Sequence, residues 1–72
     1  MFTEEKIKEI KEMIENAITE IDNNINDEEN GEPEVALEYV VGLTDMASVL
    51  GAITEEEVAE YIKRATKDFE IE

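Results

Sequence analysis

The chain has no cysteine, no histidine and no tryptophan, and only one proline and three glycines. Without cysteine there is no disulfide framework and no thiolate to bind a metal or attack a substrate. Without histidine the commonest general base and metal ligand is missing. Catalysis would then fall to carboxylates, Lys, Ser, Thr or Tyr. Carboxylate pairs are plentiful, such as Glu34 and Glu38 one helical turn apart. A working acid needs burial to raise its pKa, and these pairs read as a solvated face. No glycine-rich phosphate loop is present. The expectation is a protein that is not an enzyme and that uses no cofactor and no metal. No apolar stretch approaches the roughly 20 residues of a membrane span. The N-terminus lacks a basic region followed by an apolar run, so a cytoplasmic location is expected.

The chain is also short of positive charge. It has 21 acidic and 6 basic residues, a net charge of −15. The bases form two groups, Lys6, Lys8 and Lys11 near the start and Lys63, Arg64 and Lys67 near the end, and residues 12–62 contain none. That span holds 15 acids, and the ends hold 6 acids against 6 bases, so the whole net charge lies in the middle. Nucleic-acid affinity rests on neutralising phosphates with Lys and Arg. Direct nucleic-acid binding is therefore excluded, and a basic protein surface is the partner such a field attracts.

Seventy-two residues make a single domain. A chain of this size buries only about 60% of the surface its unfolded form exposes. With no disulfide or metal to reinforce it, stability must come from helix packing or from a partner.

The phrase FTEEKI at residues 2–7 returns as ITEEEV at residues 53–58. Both read as helix starts. Thr3 and Thr54 are preferred N-caps. Phe2 with Ile7, and Ile53 with Val58, have the spacing of a hydrophobic staple, and Glu57 completes a capping box with Thr54. From Thr3, the residues Ile7, Ile10, Ile14, Ala17, Ile18, Ile21 and Ile25 share one helical face. The pattern predicts helix 1 over about residues 3–24, followed by an acidic turn at 25–32. Pro33 suits the first position of a second helix, which extends over about 33–50 and stops at Gly51. Its predicted core face is Val35, Ala36, Tyr39, Val40, Leu43, Met46, Ala47 and Leu50, with Leu37 and Val41 on the polar side. Helix 3 is predicted over about 55–68, with Val58, Tyr61, Ile62, Ala65 and Phe69 on one face. Short connections favour antiparallel neighbours. The predicted fold is an all-α, up-down-up antiparallel three-helix bundle. In it the lysines of helix 1 lie near the acidic start of helix 3, and the basic end of helix 3 lies near the acidic turn.

Residues 22–33 begin like a calcium loop, with Asp22, Asn24 and Asn26 at its first, third and fifth positions. The sixth position needs Gly and holds Asp27, and the twelfth needs a bidentate Glu and holds Pro33.

The candidate partner-binding surface is the acidic side of helix 2 with the turn before it: Glu28, Glu29, Glu32, Glu34, Glu38 and Asp45, with Leu37 and Val41 as apolar anchors. Residues 42–65, GLTDMASVLGAITEEEVAEYIKRA, resemble the helix–turn–helix tails of small acidic proteins of phages and mobile elements. Some of those are anti-restriction or anti-CRISPR inhibitors. A small acidic bundle without catalytic groups itself suggests a stoichiometric inhibitor whose carboxylates stand where phosphates would and occlude a basic nucleic-acid-binding surface, such as that of a host nuclease, and the resemblance implies the same kind of role. The alternative is a helical homo-oligomerisation or adaptor module, a homodimer for instance, whose acidity only keeps it soluble.

Overall fold

A computed structural model describes residues 2–69. Three helices follow one another: α1 (Glu4–Asn26), α2 (Pro33–Val49) and α3 (Glu55–Thr66), with a final 3-10 turn at Lys67–Phe69. No strand occurs among the described residues. Ile14 clusters with Ala47 and Tyr61, whereas Ala17 and Ile21 cluster with Val40 and Ala65. Ascending α1 therefore descends α2 and ascends α3, which is the expected up-down-up bundle. α1 runs two residues past the predicted end. α3 stops short of Asp68, and the 3-10 turn takes over.

The repeated phrase does what its chemistry predicts. Thr3 Oγ1 accepts from the Lys6 N–H at 3.1 Å. Thr54 Oγ1 accepts from the Glu57 N–H at 3.1 Å, and Glu57 Oε1 accepts from the Thr54 N–H at 2.9 Å, closing the capping box. Ile53 is buried beneath the box, and Phe2 and Val58 pack on the same core cluster. Thr54→Ala should lower unfolding stability by about 1 kcal/mol, a typical N-cap loss, measured by urea denaturation followed by circular dichroism. α2 ends on Gly51 at φ 84°. The Gly51 N–H donates to the Ser48 carbonyl at 2.9 Å and the Ala52 N–H to the Ala47 carbonyl at 2.8 Å. These two bonds make a Schellman stop, and the left-handed backbone there favours glycine.

The core is built from α1 residues Ile14, Ala17 and Ile21, α2 residues Val40, Thr44 and Ala47, and α3 residues Tyr61 and Ala65, with Ala52 and Ile53 between the helices. Each cluster mixes large and small side chains, Ile14 and Tyr61 with Ala47 in one and Ile21 and Val40 with Ala17 and Ala65 in the other. Close packing demands that complementarity, and it corrects the predicted face of α2. Thr44 is fully buried, its hydroxyl donating to the Val40 and Val41 carbonyls at 2.9 and 3.0 Å. Val35, Tyr39, Met46 and Leu50, predicted to be core, are all more than half exposed. Leu37, predicted to face solvent, packs on the cluster of Ile21, Val40 and Ala65. Ile25 continues the apolar stripe of α1 yet stands exposed.

Two ion pairs tie α1 to α3. Lys11 Nζ donates to Glu57 Oε2 at 2.9 Å, as expected of the two helix starts. Arg64 holds Glu15 with two bonds, at 2.6 and 2.9 Å, and its guanidinium stands 5.8 Å from the centre of the Tyr61 ring. The basic end of α3 thus pairs with mid-α1 instead of with the acidic turn. The physical reason is length: at 1.5 Å per residue, α3 extends only about half as far as α1. The hydrogen bond from Arg64 lowers the carboxyl pKa of Glu15, and that from Lys11 lowers Glu57, both from the ordinary 4.5. A lowered folded pKa contributes stability that is present above the unfolded value and lost as pH falls through the folded one. Glu15→Gln should therefore show a shallower fall of Tm with acid below about pH 4.5 than the parent chain, measured by thermal melts across that range.

Candidate partner-binding surface

Pro33 starts α2 with a preset backbone angle and no N–H to satisfy. Glu32 is its N-cap residue, with no side-chain capping bond, and Glu34 lies in its first turn. The carboxylates of the turn thus gather at the positive end of the α2 dipole. The turn itself is stitched shut by Asn24, whose amide donates to the Glu20 carbonyl at 2.7 Å and whose Oδ1 accepts from the Glu32 N–H at 2.9 Å. Asp27 adds a bond from the Asn30 N–H to its Oδ1 at 3.0 Å and one from the Gly31 N–H to its carbonyl at 2.8 Å. Asn24 also lies in the last turns of α1 along with Asp22 and Asn26. On a helix these alternate residues diverge, so the calcium-like spacing does not converge on one point.

Seven of the eight predicted contact residues, Glu28, Glu29, Glu32, Glu34, Glu38, Val41 and Asp45, are exposed. Among the described residues none of these carboxylates is in an ion pair. At about 100° per residue, Glu34, Glu38 and Asp45 fall within one narrow arc of α2, opposite Val40. The apolar anchors divide. Val41 lies at the edge of this arc, 38% exposed, whereas Leu37 is spent on the core.

The sequence pattern missed a larger feature. Val35, Tyr39, Met46 and Val49 of α2, with Leu50 at its C-cap and Met13 of α1, are between 50% and 82% exposed. Those of α2 share one arc of the helix, next to the carboxylate arc. On the far side, α1 contributes Met13, Asn16, Ala17 and Glu20 to a shallow open groove completed by Tyr39. Exposed apolar side chains gathered on one face in this way mark an interaction surface. Its signal in the sequence was the spacing 35, 39, 42, 46, 49, alternating four and three, which hid inside the wider apolar arc of α2.

No group of three or more metal-ligating side chains converges among the described residues. No helix among them is long and apolar enough to cross a membrane. The segment that carries the resemblance, residues 42–65, is the second half of α2, its Schellman stop and most of α3. No protein-family model matches the chain, and no curated protein or solved structure is detectably similar to it.

Proposed function

We propose that this chain is a non-catalytic binding protein that engages a basic surface of another protein through α2. By covering that surface it competes with nucleic acid for it, which is the action of a stoichiometric inhibitor. The observation that supports this is the pairing, on one helix, of an unpaired carboxylate arc with a broad exposed apolar patch, within a stretch that holds no base. The two parts have different physical work. Rim carboxylates steer a positive partner and raise the association rate. Buried apolar anchors set how slowly it leaves. The anti-defence role implied by residues 42–65 fits the same surface, with a host nuclease as the partner class.

The test is capture of partners from lysate at low and moderate salt, identification by mass, and kinetics on the purified pair. Reversing Glu34 and Glu38 to Lys should slow association about tenfold and flatten its salt dependence, with the helical circular-dichroism signal unchanged. A partner without a basic surface, or wild-type kinetics for the double variant, refutes the proposal. The exposed stripe at coiled-coil spacing favours a second reading, a homo-oligomerisation module. That reading predicts self-association that grows with salt, as the repulsion between chains of net charge −15 is screened.

A further inference from the structure

We infer that the exposed stripe of α2 is the seat of a partner α-helix, one whose apolar ridge is flanked by Lys and Arg. This rests on the proposed acidic binding role and specifies what that surface receives. Four observations carry it.

The first is spacing. Val35, Tyr39, Gly42, Met46 and Val49 repeat every four and three residues. That 3.5-residue period keeps one seam facing a neighbouring helix over its whole length, here about 21 Å at 1.5 Å per residue. A flat surface or an extended strand does not call for that period.

The second is relief. Gly42 stands in the middle of the seam, with nothing within 4 Å of where its Cβ would lie. Larger side chains stand above and below it. A ridge with a central gap accepts the knobs of a facing helix.

The third is chemistry. Tyr and Met, which are enriched at interface centres, supply three of the exposed side chains, Met13, Tyr39 and Met46. The unbranched thioethers adapt to the partner's shape.

The fourth is charge, which separates the candidate occupants. Glu34, Glu38 and Asp45 line one edge of the seam and Glu20 stands on the other. A second copy laid antiparallel would set the Glu34, Glu38 and Asp45 edge against its own, and laid parallel would set it against the copy's Glu20 edge, and like charges at such flanking positions oppose pairing. A helix with basic flanks meets them with opposite charge along both edges.

The experiment uses the full chain and a synthetic peptide of about five helical turns, with Leu at the seam positions and Lys on both flanks. Its controls are a shuffled isomer of identical composition and a patterned peptide with Glu flanks. Binding is read by fluorescence anisotropy of labelled peptide. The Lys-flanked peptide should bind saturably, its shuffled isomer about tenfold more weakly or worse, and the Glu-flanked peptide not at all. Met46→Glu and Val49→Glu alter exposed side chains and should each weaken binding about tenfold while the helical signal stays unchanged.

Equal binding of the two isomers would show attraction by charge alone. It would overturn the helix seat and leave the acidic binding role standing. Equal binding of the Lys-flanked and Glu-flanked peptides would overturn the basic partner and the proposed function with it. No binding of the patterned peptide, or wild-type affinity for both Glu variants, would also overturn the seat. So would sedimentation showing a dimer that Val49→Glu dissociates, because the seam would then belong to a second copy.

Discussion

Replacing Ile14 by Ala should bring the protein close to unfolding at room temperature. Ile14 is completely buried and belongs to the cluster formed with Ala47, Ala52, Ile53 and Tyr61, so it touches the packing of all three helices. Deleting the side chain removes its transfer free energy and leaves a cavity, together about 3 to 4 kcal/mol for a well-packed Ile. A domain of this length has about 4 to 10 kcal/mol in total, at the usual stability per residue. The small residues around the site, Ala47 and Ala52, cannot grow to fill the space. Urea denaturation should show the midpoint falling by a third or more with the slope unchanged, the sign of lost stability without a change in the unfolded state. Met13→Ala, one residue earlier and half exposed, should cost less than about 1 kcal/mol by the same assay. Similar losses at both positions would mean that α1 does not pack on the face described.

Gly31→Ala should be nearly as damaging, although Gly31 is in a turn and lies outside both core clusters. A Cβ there would fall 1.9 Å from the Asn24 carbonyl oxygen and 2.5 Å from that of Asp27. Both obstacles are backbone, so no rotamer change relieves them. The turn would have to open, stretching the bonds from the Glu32 N–H to Asn24 and from the Gly31 N–H to Asp27. Forced overpacking of this kind costs about 1 to 3 kcal/mol. Gly42→Ala is the matched control. It lies within α2 with open space around the new methyl group, and should gain about 0.5 to 1 kcal/mol from helix propensity alone. Thermal melts of the two variants should shift in opposite directions. A neutral Gly31→Ala would mean that the turn has room the structure denies it.

These two glycines show where sequence reading stops. Gly31 sits in a polar run beside Pro33 and reads as an ordinary turn residue. What makes it irreplaceable is the return of the chain onto the Asn24 carbonyl, a contact across seven residues that no local pattern contains. Asn24 likewise read as the end of helix 1 and one position of a broken calcium-like loop. In the fold its side chain joins the last turns of α1 to the start of α2.

The candidate surface divides the same way. The carboxylates were legible because a charged group on a polar helical arc has nowhere to go but solvent, and Glu34, Glu38 and Asp45 are exposed. Of the apolar anchors, Val41 was legible and Leu37 was not. Apolar residues cover roughly two thirds of the circumference of α2, so periodicity alone could not say which part of that arc faces the core.

What the sequence by itself determined is therefore local: three helices, their starts at Thr3 and Thr54, the stop at Gly51 and a middle span without bases. Caps, staples and helix stops act over three to six residues, and the chain carries all their parts in order. Only the tertiary structure decided how α2 is turned. Ile14, Ile21 and Tyr61 press on it from α1 and α3, and the line of α2 that admits them at close-packed distance is the one with Val40, Thr44 and Ala47. Burying that line rotates Tyr39, Met46 and Val49 outward. Close packing between helices sets that rotation, and it leaves the stripe exposed.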